Sequence, residues 1–181
     1  MSDIPRAISV GRRVVVTGMA GAGKSTFSRA LAAKTGLPVI VLDLHFWLPG
    51  WAEPGEAEWR ETQKRLLAGD DWIADGNYHA TLDLRLERAD TVVFLDIRWW
   101  VCAWRALVRG VRRRPAEMEL PDGCDESRLR RLRDEWWLAW RIWRVRRSDR
   151  ERELKIVSQH GKHVAMYVLG SKRAVREFLD A

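Results

Sequence analysis

The run Gly18-Met19-Ala20-Gly21-Ala22-Gly23-Lys24-Ser25-Thr26 has the spacing of a phosphate-binding loop, G-x-x-x-x-G-K-[ST]. Small residues let successive backbone N–H groups curl around phosphate oxygens, and the helix that follows adds the partial positive charge of its N-terminus. In that chemistry Lys24 reaches the β- and γ-phosphates of a nucleoside triphosphate, and the Ser25 hydroxyl holds Mg²⁺. Glycine-rich turns match such patterns by chance. Here the apolar β-branched run Val14-Val15-Val16-Thr17 precedes the loop, and Ser25 to Lys34 reads as a helix stopped by Gly36. That strand–loop–helix context is what the pattern requires. The sequence therefore implies that the chain binds ATP or a similar triphosphate.

Three carboxylates follow apolar runs. Asp43 closes Pro38 to Leu42, Asp75 closes Trp72-Ile73-Ala74, and Asp96 closes Thr91 to Leu95. Asp75 is the expected second anchor for Mg²⁺, the alternative being a turn or capping acid. Asp43 either caps a turn or orients and deprotonates an acceptor hydroxyl. Asp96 is read as structural. His45 and His79 lack metal-ligand spacing. The cluster Arg105, Arg109, Arg112, Arg113 and Arg114 is either a solvated face or a set of phosphate clamps.

The elements that position these residues alternate strand with helix. After the phosphate-loop unit, Leu44 to Trp51 reads as an aromatic loop broken by Pro49-Gly50, and Glu58 to Leu67 as a helix. Trp99 to Arg113 reads as another helix, stopped by Pro115, and Ala116 to Asp125 as a loop. A long helical stretch from Glu126 is expected to break near Ser148-Asp149. Val164 to Leu169 is the last strand, and Ser171 N-caps a final helix. Such alternation makes a parallel sheet flanked by helices, with ligands bound beyond the carboxyl ends of its strands. The phosphate loop and the aspartates should then gather at one sheet edge. Trp136, Trp137, Trp140 and Trp143 recur at helical spacing with Leu129 and Leu132, which reads first as core packing. The alternative is that, interleaved with Arg133, Arg141 and Arg144, they make a stacking surface for nucleic acid or an interface.

A chain of 181 residues suffices for one domain with a substantial core. No apolar run approaches the roughly 20 residues of a membrane-spanning helix, and the first residues lack the apolar core of a signal peptide. The two cysteines, Cys102 and Cys124, make no CxxC pair and no disulfide framework, which points to the cytoplasm. Between Arg98 and Arg152 there are 16 arginines and 9 acidic residues, a surplus equal to the +7 of the whole chain. Such a block could face nucleic acid or the phosphates of a small ligand.

The motifs together resemble a family. Gly18 to Thr26, Leu42-Asp43-Leu44-His45-Phe46-Trp47, Trp51, Trp72 to Tyr78, Leu82-Asp83-Leu84-Arg85, Ala89 to Asp96 and Gly123-Cys124 are similar to the adenylate-kinase-like P-loop kinases. The bacterial group called DNA topology modulation proteins is the nearest in resemblance. The resemblance implies a three-layer α/β/α domain over residues 1–181 with a five-stranded parallel sheet in the order 2-3-1-4-5. It also implies an acceptor-binding segment over about 43–70 and a lid over about 112–127. On the same ground Gly170, Ser171 and Lys172 cup the adenine ring, Asp75 orders the water around magnesium, and Arg109 and Arg113 clamp the transferring phosphate. Asp43 holds the acceptor. Where ordinary nucleoside monophosphate kinases follow Asp-Gly with Phe-Pro-Arg, this chain has Asn77-Tyr78-His79. That departure argues against a nucleoside monophosphate as acceptor.

Two functional classes stay open at this level. One is an ATP- and Mg²⁺-dependent phosphotransferase acting on a small acceptor. The other is a regulatory triphosphate-binding module that grips nucleic acid through residues 98–152.

Overall fold

A computed structural model describes residues 10–112, 120–124, 128–145 and 147–181, apart from the side chains of 109–112 and 128–135. Strand β1 (Arg13–Gly18) leads through the phosphate loop into α1 (Lys24–Thr35). Then come β2 (Val39–Val41), a short α2 (Leu42–Phe46), a 3₁₀ turn at Pro49–Trp51 and α3 (Glu56–Leu66). Strand β3 (Trp72–Asp75), α4 (Leu82–Arg88) and β4 (Thr91–Leu95) follow. After α5 (Trp99–Arg112) and α6 (Arg128–Val145), α7 (Ser148–His160) leads to β5 (Ala165–Val168) and α8 (Lys172–Asp180).

The strands pair in the order β2-β3-β1-β4-β5, every pair parallel, as expected. β1 lies at the centre and is apolar on both faces because helices cover both. Val14 and Val16 pack with Phe27 and Leu31 of α1, Cys102 and Ala106 of α5, Ile142 of α6 and Phe178 of α8. Val15 faces the other way, onto Leu82 and Leu86 of α4 and Val157 of α7. The period-two alternation of a strand thus serves two cores at once. The helical stretch after α5 breaks between Val145 and Ser148, close to the expected place.

Two expectations are corrected. Leu44 to Trp51 is not a plain loop, because Leu42–Phe46 forms a helical turn directly off β2. Asp43 therefore sits in the first turn of α2 rather than at a strand end. The second correction concerns α6. Trp136, Trp137, Trp140 and Trp143 are between 48% and 69% exposed, whereas Ala139 and Ile142 are buried. At 100° per residue Leu138, Ala139, Ile142 and Val145 share one side of the helix and the indoles share the opposite side. The smaller aliphatic stripe fits against α5 and the sheet, so the tryptophans turn outward. Arg141 and Arg144 lie over the rings of Trp137 and Trp140 at 5.7 and 5.2 Å.

Candidate active site

The phosphate loop is built on three left-handed glycines: Gly18 (φ 128°), Gly21 (φ 79°) and Gly23 (φ 101°). Two of them are also sterically required. A Cβ on Gly18 would lie 2.6 Å from the Leu95 carbonyl oxygen, and one on Gly21 2.3 Å from that of Cys102. The loop is thus clamped against β4 and α5. From outside, the Arg105 guanidinium donates to the Ala22 carbonyl at 3.0 Å and the Gly21 carbonyl at 3.5 Å. Gly23 caps α1 without a side-chain hydrogen bond. The amides of the first helical turn are therefore left for an anion. Lys24 Nζ donates to the carbonyls of Gly18 (2.9 Å) and Met19 (3.3 Å), so it spans the mouth of the loop. Met19 and Ala20 form the rim, and Ser25 and Thr26 open α1 on its exposed side.

Asp75 is the last residue of β3, aligned with Val16 of β1 and Val41 of β2. Its carboxylate is 3% exposed and accepts from Ser25, while its Oδ2 is buried with no hydrogen-bond partner. Burial, the largest influence, holds this carboxyl above the ordinary carboxylate value, and Asp43 pushes the same way. Ser25, Lys24 and Arg29 pull against them. A buried oxygen without a donor, beside a hydroxyl at a phosphate loop, fits a hard cation with oxygen ligands. Among the described residues no group of three His, Cys, Asp or Glu side chains could hold a metal by itself. Ser25 and Asp75 thus fit Mg²⁺ whose remaining ligands come from phosphate and water.

Asp43 accepts the Tyr78 hydroxyl at 2.7 Å. Burial first, then the charge of Asp43, raise the Tyr78 phenol far above its ordinary value, so it remains the donor. Asp43 and Lys24 both act electrostatically on Asp75, in opposite directions.

A network that sequence reasoning missed supports the loop from below. Glu153 of α7 is 2% exposed. Its Oε1 accepts the Gly18 N–H at 3.1 Å and the Thr17 hydroxyl, and its Oε2 lies 3.6 Å from His79 Nε2. Arg85 is fully buried and donates to the carbonyls of Gly76 (2.8 Å) and Tyr78 (2.7 Å). It thereby fixes the turn between Asp75 and Tyr78. Burial lowers its pKa to about 10, partly offset by Glu153. Only the placement of a glutamate among the apolar positions of α7 hints at this role, 135 residues from the loop.

A cavity of about 350 Å³ opens beside the loop at the carboxyl end of β4, between Met19, Asn77, Trp99 and Glu153. Asp96, on its wall, is held by Arg150 through bonds of 2.8 to 3.1 Å. Gly170, Ser171 and Lys172 follow β5 at the same sheet edge, where Ser171 Oγ accepts the Ala174 N–H at 3.1 Å as N-cap of α8. Arg109 lies in α5 but its side chain is not among those described, and Arg113 lies outside the described residues. So does most of the expected lid. Its described part, 120–124, meets the segment expected to bind the acceptor: Gly50 N–H donates to the Gly123 carbonyl at 3.0 Å, and Cys124 Sγ to the Leu48 carbonyl at 3.3 Å.

No family model matches the chain. A shikimate kinase from Paramagnetospirillum magneticum is 36% identical over 66 residues, which is 33% of this chain and 34% of that protein. The match thus spans about a third of that relative's length. Among solved structures, a shikimate kinase from Acinetobacter baumannii in complex with shikimate superimposes over 94% of this chain and 89% of its own. Its TM-score is 0.52 at 20% identity. A shikimate kinase from Bacteroides thetaiotaomicron covers 93% of this chain and 94% of its own (TM-score 0.50, 18% identity). A gluconokinase from Sinorhizobium meliloti covers 94% and 90% (TM-score 0.50, 18% identity). The strand order and these likenesses show that the chain shares the α/β fold of these kinase structures, a five-stranded parallel sheet in the order 2-3-1-4-5.

Proposed function

We propose that this protein is a phosphotransferase that moves the γ-phosphoryl group of ATP to a small acceptor held between Asp43 and the phosphate loop. The observation that carries the reading is the buried, unpartnered Oδ2 of Asp75 beside Ser25, at a loop whose glycines are locked open for phosphate. Ser25 and Asp75 would hold Mg²⁺, which supplies charge neutralisation at the β- and γ-phosphates. Residues 18–26 bind the triphosphate, Gly170, Ser171 and Lys172 flank the adenine, and Arg109 and Arg113 complete the phosphate clamp. For a hydroxyl acceptor, its oxygen forms the new bond to the γ-phosphorus as the bond to the β–γ bridging oxygen breaks. ADP leaves with that electron pair, and the hydroxyl proton passes to Asp43. The kinase likenesses and the resemblance to the DNA topology modulation group, through Leu42–Trp47 and Asp75–Tyr78, support this reading.

A second reading, a triphosphate-binding module that docks nucleic acid, is favoured by one observation: the outward Trp and Arg face of α6. The transferase reading is preferred because the specific geometry surrounds the nucleotide site.

The direct test is Lys24→Ala. Removing the charge at the β/γ-phosphates should cut acceptor-dependent ADP release at least a hundredfold, with the circular dichroism spectrum unchanged. Near-normal turnover in this variant would sink the proposed site.

A further inference from the structure

From the walls of the acceptor side we infer that the acceptor is uncharged, places a hydroxyl at Asp43 and lays a flat or CH-rich ring face against Trp47 and Trp51. This inference rests on the phosphotransfer reading above and names its substrate class.

The first observation is a continuous aromatic wall. Phe46 contacts Trp47, Trp59 and Tyr78 at centroid distances of 5.0, 5.2 and 4.6 Å, and Trp47 meets Trp51 edge to face at 5.7 Å. Trp59 is buried and serves the core, whereas Phe46, Trp47, Trp51 and Tyr78 are only partly covered. The wall begins at the Tyr78 hydroxyl on Asp43, so a ring lying on it would carry its hydroxyl to that carboxylate. Trp51 is held at φ 65°, left-handed backbone that a bulky residue adopts only under constraint. The neighbouring Gly50–Gly123 hydrogen bond supplies part of that constraint.

The second observation concerns charge. Every Lys and Arg between residues 43 and 88 has a partner within the chain, some of them in exposed surface pairs. Arg60 is paired with Asp83 (2.8 Å) and the Ala80 carbonyl, and Arg85 is buried on Gly76 and Tyr78. Lys64 is held by Glu61, Arg65 by Thr62, and Arg88 by the carbonyls of Ala68 and Gly69. With Asp75 assigned to the metal, the charged group that β2 and α2 leave exposed beside the site is the carboxylate Asp43, with His45 exposed on α2. A like charge close to the Asp43 carboxylate is repelled, and more strongly in a partly desolvated site than in water. An anionic acceptor would meet Asp43 with no unpaired Lys or Arg from residues 43–88 beside it, while Lys24 and Arg29 of α1 act on Asp75. Indole faces, by contrast, hold neutral rings through dispersion and quadrupole contacts.

The test has two parts. Calorimetric binding of a non-hydrolysable ATP analogue with Mg²⁺ checks the nucleotide site alone. Acceptor-dependent ADP release from ATP is then measured with nucleosides, with neutral sugars and polyols, and with the anions AMP, shikimate and gluconate. The expected result is analogue binding, and turnover confined to the neutral arms; the nucleoside and sugar arms separate the two sources of a ring face. Trp47→Ala and Trp51→Ala should each raise the acceptor KM about 5- to 150-fold, the range of an aromatic–base stack, with analogue affinity unchanged. Trp47→Phe should restore most of that loss, which separates stacking from misfolding. Turnover with an anion equal to or better than the neutral arms, or analogue binding with no turnover in any neutral arm, overturns the inference. So does an acceptor KM indifferent to both alanine variants. Failure to bind the analogue overturns the phosphotransfer reading itself.

Discussion

Burial penalises the ionised form of Asp75, and that penalty outweighs the Ser25 hydrogen bond and the pull of Lys24. The sign of the resulting pH dependence follows from linkage. A carboxyl whose folded-state pKa is raised binds its proton more tightly folded than unfolded. Its stabilising contribution is therefore full below the ordinary value of 3.8 and is lost as pH rises through the folded value. Asn at this position removes the ionisation. The ligand-free Asp75→Asn protein should thus melt above the wild type at neutral pH, and the difference should shrink towards pH 3.8. The same substitution should abolish the rise in melting temperature that Mg²⁺ and ATP analogue together give the wild type, since Asp75 is a proposed metal ligand. An unchanged magnesium titration would count against the metal role.

At the scale of elements, strain and contact at the phosphate loop can be separated by two glycines. Gly36 ends α1 at φ 75° with open space around it, so Gly36→Ala carries backbone strain alone, about 1 kcal/mol. Gly21 has a similar φ of 79°, but its Cβ would meet the Cys102 carbonyl at 2.3 Å. Gly21→Ala must therefore also displace α5 from the loop. Denaturant unfolding should show a loss of about 1 kcal/mol for the first and roughly 2–4 kcal/mol for the second. Equal losses would mean that α5 does not brace the loop. Glu153 ties α7 to the same loop, so α5 and α7 clamp it from two sides.

For the molecule as a whole, the question is what the basic, tryptophan-rich α6 contributes. If its indoles face solvent, Trp140→Ala should change unfolding free energy by no more than about 1 kcal/mol, whereas Ile142→Ala should cost about 2–5 kcal/mol. The reverse ranking would restore the core reading of the tryptophans. The surplus charge of 98–152 should also attract polynucleotides weakly, with a salt slope near 0.7 per phosphate contacted on single strands and no dependence on ATP. Tight, ATP-gated binding at physiological salt, measured by fluorescence anisotropy, would favour the second functional reading instead.

The phosphate loop, the parallel sheet and the convergence of Asp43 and Asp75 on one sheet edge were legible in the chain from local rules, whereas the order of the strands was implied only by the resemblance to P-loop kinases. Glycine spacing between a β-branched run and a helix specifies a loop, and alternating strands and helices specify a parallel sheet whose carboxyl edge binds ligands. The helical turn carrying Asp43 was not legible, since five residues rich in aromatics carry too little periodicity to separate a turn of helix from a loop. Nor was the direction of α6. Its indoles and its Leu138–Val145 stripe are both apolar at helical spacing, and only the space left beside α5 and the sheet decided which side turned inward. Glu153 and Arg85 needed tertiary structure altogether: a buried charge is tolerable only against partners far along the chain, and no spacing in the sequence encodes that meeting.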